Sequence, residues 1–407
     1  MKNILLVIAF IGFSISTYAQ KVESTTFLGS VTAAEISQLA GLPVPYAVDL
    51  YKVRYFTPDA VGEEHVASGL VCIPQNENLA FPLFCYQHGT VGGREDVPSR
   101  LAGGYELPLV FSALGFVVCA ADFVGLGDSP GVHPYVHAST EATAGVDLLL
   151  AAREMSQDDS FPPFALNDQL FISGYSQGGH ASMAAHRLIQ EEYSNQFDVT
   201  GAAHMSGPYS ISEKMVEFTL GDQEYGTVSY LAWLTLGYLE AYPVLLADIS
   251  IEDVFKAEYL DDILAFRDED ISLWELNDRL IQSLETNVGA ILPREILKED
   301  VLNALLSDPS YPLSEALADN DTYDWSPTSP TNLYYCIGDE QVIFENATLA
   351  EAVMTQNGST TVNALRLDNT FPLDHGQCVS PAVTSALFFF GSLQEFTTST
   401  NLLFEED

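Results

Sequence analysis

The chain has 407 residues, of which 47% are hydrophobic and only 17% charged. That composition can fill a large core and excludes intrinsic disorder. Fifteen basic residues stand against 56 acidic ones, a formal net charge of −41, which excludes nucleic acid and anionic membrane as partners and suits a hydrated surface in a salty medium.

Residues 1–19 combine Lys2, an apolar run over 4–13 and Thr17-Tyr18-Ala19. This is the pattern of a secretory signal cleaved near Ala19. No later stretch approaches the roughly 20 apolar residues of a membrane span. A secreted or periplasmic protein without stable membrane insertion is therefore expected.

Residues 48–57 and 65–74 read as a leading antiparallel pair, and 82–86 and 116–121 as short buried strands. A helix is expected over 140–155, a strand over 169–173, a helix over 178–193 and a strand over 199–204. Buried apolar strands separated by helices indicate a parallel sheet covered on both faces. The alternation stops at about residue 208 and resumes with a strand at 333–337, a helix at 344–354, a strand at 362–367 and a last helix over 381–393. The interval is far longer than an ordinary crossover, so it reads as a helical cap inserted into the sheet domain. The expected organisation is a signal at 1–19, core at 20–207, cap at 208–327 and core again at 328–407.

The five cysteines include at least one unpaired thiol. Cys72, Cys85 and Cys119 lie in apolar runs and read as core residues. Cys336 and Cys378 each lie three residues from a candidate catalytic group; a disulfide there would tie two loops together, and separate reduced thiols are the alternative. No cysteine or histidine spacing suggests zinc, and the acidic run Asp261, Asp262, Asp268, Glu269 and Asp270 lacks calcium-loop spacing. No metal or cofactor is expected.

The most specific motif is Gly174-Tyr175-Ser176-Gln177-Gly178-Gly179, between the 169–173 strand and the following helix. A serine on such a turn has its hydroxyl exposed at the sheet edge, and small flanking residues let strand and helix approach. A serine needs a base. His375 lies beyond the resumed strands, in a loop expected directly before the last helix, and is the candidate. His180 sits one helical turn after Ser176, and His133, His137, His186 and His204 read as loop or packing residues. Asp339, after the 333–337 strand, is the candidate to orient the imidazole, with Glu340 and Asp374 as the groups that could be confused with it. The backbone N–H groups of Gln177 and Thr90 are the candidate oxyanion donors, the latter in the loop Gln87-His88-Gly89-Thr90-Val91-Gly92-Gly93. Tyr175, His88, Tyr230 and Trp233 are the candidate substrate contacts. The loop from Asp122 to Ser129 reads as a structural loop at the edge of the site, because it lacks the Lys-Ser/Thr ending of a phosphate loop.

Together these motifs resemble the α/β-hydrolase superfamily, and within it the secretory lipase type of extracellular esterases. The matching pieces are Gln87 to Thr90, Asp122 to Ser129, Gly174 to Gly179, Asp339-Glu340-Gln341-Val342 and His375-Gly376. The resemblance implies an α/β-hydrolase fold with an inserted cap, a triad of Ser176, Asp339 and His375, and hydrolysis of a small-molecule or lipid-like ester through an acyl-enzyme. A serine peptidase on the same fold is the first alternative and a non-catalytic binding protein the second.

Overall fold

The computed structural model describes residues 20–398. The expected signal at 1–19 lies outside them. Ten strands form one mixed sheet in the order β1-β2-β3-β5-β4-β6-β7-β8-β9, with β10 beside β4. The strands are β1 Val22–Val31, β2 Val48–Pro58, β3 Glu64–Pro74, β4 Leu79–Gln87, β5 Val117–Ala121, β6 Ala165–Tyr175, β7 Asp198–Met205, β8 Thr331–Tyr335, β9 Val362–Arg366 and β10 Thr397–Thr398. β1 to β3 are antiparallel, and β3 meets β5 antiparallel. From β5 through β9 every pair is parallel.

The parallel strands are buried on both faces. In β5, Val117, Cys119 and Ala121 join the core on one side while Val118 and Ala120 join the core on the other. The period of two along a strand produces this division. Helices α1 (Ala33–Ala40) and α2 (Glu106–Ala113) contribute to the second core, while α3 (Ala138–Met155) and α4 (Gln177–Glu192) contribute to the first.

Between β7 and β8 lie seven α-helices, besides short π and 3-10 turns at Ile211–Met215 and Pro293–Ile296: α5 Val216–Thr219, α6 Ser229–Ala241, α7 Ile251–Val254, α8 Ala257–Arg267, α9 Leu273–Asn287, α10 Glu299–Ser307 and α11 Pro312–Asp319. They hold no strand, only one bridge between Phe255 and Leu297. Trp233, Phe255, Leu280 and Leu313 from this region share one continuous core with Val53, Cys85 and Leu148 of the sheet layers. Burial of that many large side chains, at about 1.5–3 kcal/mol each, packs the insertion on the sheet domain.

After β8 come α12 (Glu345–Gln356) and α13 (His375–Gly391). The last helix starts six residues earlier than the sequence suggests. Pro381 looks like a first-turn residue, yet it sits inside α13. The decisive signal is Asp374-His375-Gly376-Gln377. Asp374 accepts from the Gln377 N–H at 2.7 Å, and the Gln377 side chain returns to the Asp374 N–H. That capping box satisfies two orphan groups and starts the helix at His375, so His375 is helical rather than in a loop. The strand β1 and helix α2 carry no clear periodicity. β1 is a mostly exposed edge strand, and α2 is buried nearly all round.

Candidate active site

β6 delivers Ser176 to the start of α4. Its backbone has φ 60° and ψ −123°, a conformation that costs a non-glycine residue on the order of 1–3 kcal/mol. The turn survives because its neighbours leave no alternative. A Cβ on Gly174 would lie 2.1 Å from the Gly178 carbonyl oxygen, and one on Gly178 would lie 2.0 Å from the carbonyl oxygen of Gln87 on β4. The Ser176 N–H donates to the Met205 carbonyl at 3.0 Å. Strand, turn and helix are thus locked together, and Ser176 projects from them with 9% of its surface exposed.

His375 is gripped at three points. Its Nδ1 faces Asp339 Oδ2 at 2.8 Å and Oδ1 at 2.9 Å. Its backbone N–H donates to Glu340 Oε2 at 2.9 Å. Its carbonyl oxygen accepts from the Tyr175 hydroxyl at 2.6 Å, with the two rings 5.0 Å apart. Asp339 is held in turn by the N–H groups of Gln341 (3.1 Å) and Val342 (2.8 Å), both donating to Oδ1. Cys336 and Cys378 form a disulfide with Cα atoms 6.1 Å apart, linking the end of β8 to the first turn of α13. Cys72, Cys85 and Cys119 are buried free thiols. Tyr175 bridges the Ser176 turn to His375, while the described residues show no hydrogen bond from Ser176 Oγ to His375. Such bonds often tighten only when substrate arrives.

Ser176 and Gln177 sit at one side of an apolar cavity of about 110 Å³. Its other walls come largely from the insertion, including Met215, Leu231, Leu234, Leu297 and Leu313. Tyr135, in the loop before α3, lines it as well, and its hydroxyl meets Thr90 Oγ1 at 2.7 Å. Gly89 backs directly on Ser176: a Cβ there would lie 3.7 Å from Ser176 Cβ. Gln177 is the first residue of α4, so its N–H has no intrahelical acceptor. Among the described residues no cluster of acids, histidines and cysteines is arranged for a metal, and no helix is long and apolar enough to cross a membrane.

No family model and no curated relative matches this chain. Solved structures do. The rice cell wall degrading esterase LipA from Xanthomonas oryzae superposes with a TM-score of 0.75 and 26% identity, over 92% of this chain and 96% of that one. A Legionella pneumophila protein gives 0.78 and 26%, over 92% and 98%. The chain has the α/β-hydrolase fold, and its structural neighbours are esterases, lipases and hydrolases. Candida antarctica lipase A, at 17% identity and a TM-score of 0.62 over 89% of this chain and 79% of that one, shares the fold.

Three expected substrate contacts of this hydrolase have other employment. Tyr175 is 6% exposed and its hydroxyl is committed to His375. His88 is fully buried, with Nδ1 at 2.8 Å from the Gly89 carbonyl and its ring 4.3 Å from that of Phe123. Trp233 stacks on Tyr135 at 4.7 Å and lines a neighbouring cavity with His133 and Phe266 rather than the one at Ser176. A residue beside the nucleophile in sequence points away from substrate whenever its strand face turns into the core. Tyr230 does line the cavity, with its hydroxyl 3.2 Å from Gln341 Oε1. Gln341 and Val342 are lining residues that the sequence reading used only as part of the Asp339 motif.

The loop leaving β5 is braced by its own buried carboxylate. Asp122 accepts from Ser68 Oγ at 2.6 Å and from the Ser99 N–H at 2.9 Å. His133, His137, His180, His186 and His204 are packed in the interior, while His65 is half-buried with Nε2 at 2.7 Å from Ser129 Oγ. Burial pushes His133 and His186 down to about 3 and His137 to about 4, and holds His204 well below its usual range. His186 Nδ1 faces His204 Nε2 at 3.3 Å, and His186 Nε2 faces Ser329 Oγ at 2.8 Å. These rings are neutral in the folded chain, whereas free imidazole titrates near 6.5. Below that pH the unfolded chain binds protons that the folded chain refuses. Stability contributed by the neutral rings is therefore complete above about 6.5 and is lost as pH falls, at up to about 1.4 kcal/mol per ring per pH unit. Replacing His186 by Asn should flatten the dependence of Tm on pH between about 6.5 and 4, relative to the parent; parallel curves would show that His186 does not titrate on unfolding.

Proposed function

We propose that this hydrolase cleaves carboxylic esters with an apolar acyl group, through attack by Ser176 and an acyl-enzyme. The observation that carries the reading is the strained turn at Ser176, opening onto an apolar cavity and tied through the Tyr175 hydroxyl to a histidine gripped by a carboxylate. In this scheme His375 Nε2 takes the serine proton as Oγ attacks the ester carbonyl, and Asp339 stabilises the imidazolium that forms. The Gln177 N–H, with a second donor from the Gly89–Thr90 segment, faces the developing oxyanion. His375 then returns the proton to the leaving alcohol, and water repeats the sequence on the acyl-enzyme.

The cavity wall supports the reading of an acyl substrate over a peptide. Its lining is mostly apolar, with a few hydroxyl and amide groups, and includes no acidic or basic side chain to receive an amine or a charged group. Each methylene buried there is worth about 0.8 kcal/mol, or roughly fourfold in kcat/KM. A series of p-nitrophenyl esters should show kcat/KM rising with acyl length to an optimum and then falling, while a peptide panel stays uncut. Leu234→Trp, which fills part of the cavity, should move the optimum to shorter chains. Preferential cleavage of peptides would replace this reading with a peptidase, and an optimum unmoved by the variant would remove the cavity from acyl recognition.

A further inference from the structure

Behind the nucleophile lies a buried polar network that the chemistry above does not use. Gln177 Nε2 lies 2.7 Å from Glu141 Oε1 and 3.0 Å from His133 Nε2. His133 Nδ1 donates to the Val124 carbonyl at 2.8 Å, so Nε2 is the accepting nitrogen. Both amide hydrogens of Gln177 are thereby engaged, and a flipped amide would set its oxygen against two acceptors. The other carboxylate oxygen, Glu141 Oε2, faces His180 Nδ1 at 2.8 Å, and His180 Nε2 faces the Asn320 carbonyl at 2.8 Å. A carbonyl only accepts, so Nε2 carries a hydrogen, and a second proton is shared between Nδ1 and Glu141. Glu141 and His180 are both fully buried. Asn320 follows the last helix of the insertion, and its side chain bonds the Ala138 N–H, the Ala316 carbonyl and the Tyr242 hydroxyl.

A buried ionisable pair brings little net stability, because desolvation offsets its attraction. Its placement gives it a different use. We propose that Glu141 and His180 are positioning residues that aim the Gln177 N–H at the oxyanion and make that aim depend on how the end of the insertion is docked. They act from behind: Glu141 holds the Gln177 side chain, His180 holds Glu141, and the Asn320 carbonyl holds His180. The inference rests on the ester-hydrolase reading, since it assigns the donor of that reaction.

The test compares Glu141→Met, which removes the acceptor of the Gln177 amide, His180→Gln and the double variant with the full parent chain, using a p-nitrophenyl ester of optimal length. Readouts are kcat, KM, the fluorophosphonate-reactive fraction, and Ki for a trifluoromethyl ketone carrying the same acyl chain, whose serine adduct presents an oxyanion. Losing one oxyanion donor outright costs about 10²–10³-fold, so misaiming one should lower kcat by roughly 10–100-fold. KM should stay within about twofold, and Ki should rise by the same factor as kcat falls. The double variant should be no worse than the worse single one, because the residues act as one unit. Should Glu141→Met fail to fold, Gln177→Met removes the same anchor while keeping the N–H and should give the same split. An active parent with kcat unchanged in folded variants, or with losses that follow only the reactive fraction or KM, overturns this proposal alone. A parent inert to every ester overturns the functional reading together with it.

Discussion

Replacing Ser176 by Ala is expected to lower ester hydrolysis by about 10⁴-fold or more and to abolish labelling by a fluorophosphonate, with the folded state preserved. The remaining rate would come from the oxyanion donors and substrate binding alone. The fold should tolerate the change because the turn is held by backbone contacts: the Ser176 N–H bond to Met205 and the close approach of Gly174 to Gly178 do not involve the hydroxyl. Alanine keeps the Cβ and so inherits the same strained backbone at little additional cost. Circular dichroism and thermal melting check the fold, and a fluorescent phosphonate probe checks the nucleophile. Labelling that persists in the variant would place the nucleophile elsewhere.

Asp339→Asn is expected to lower kcat by a comparable factor, on the order of 10⁴-fold. The reason lies in how the carboxylate is held. Oδ1 accepts two backbone N–H groups, from Gln341 and Val342. In the variant those donors fix the amide oxygen at that position. The NH₂ then takes the place of Oδ2 and points at His375 Nδ1, which must become an acceptor. The ring is forced into the tautomer with hydrogen on Nε2 and cannot receive the serine proton. The neighbouring acids supply the contrast. Asp374 caps α13 by accepting from Gln377, and Asn is an equally good cap, so Asp374→Asn should be mild. Glu340→Gln keeps an acceptor for the His375 N–H and should fall between the two. Steady-state kinetics on the three variants decides the matter: a crippling Asp374→Asn beside a mild Asp339→Asn would reassign the orienting acid.

The sheet, the strand-to-helix turn at Ser176 and the pairing of Asp339 with His375 were legible because each has a local signature. A buried parallel strand is an apolar run, and an elbow needs glycines at fixed offsets from the serine. The strand β1 and the helix α2 were illegible for the converse reason: one is an exposed edge and the other is buried all round, so neither shows a period. The start of α13 was misplaced because Pro381 is the louder signal and the Asp374–Gln377 box the stronger one.

By itself the sequence determined the class of protein: an acidic, largely globular chain with a serine on a strand-to-helix turn and a long helical interruption of the α/β alternation. Only the tertiary structure decided what each polar neighbour of the site does. Tyr175, His88 and Trp233 look like substrate contacts when read along the chain and prove to be braces in space. Glu141, His180 and Asn320 carry no motif, yet they meet behind Gln177. Likewise Glu340, 35 positions from His375, receives its N–H. A side chain's partners depend on which strand face it occupies and on which elements the sheet order brings together, and both are set by long-range pairing rather than by neighbours in sequence.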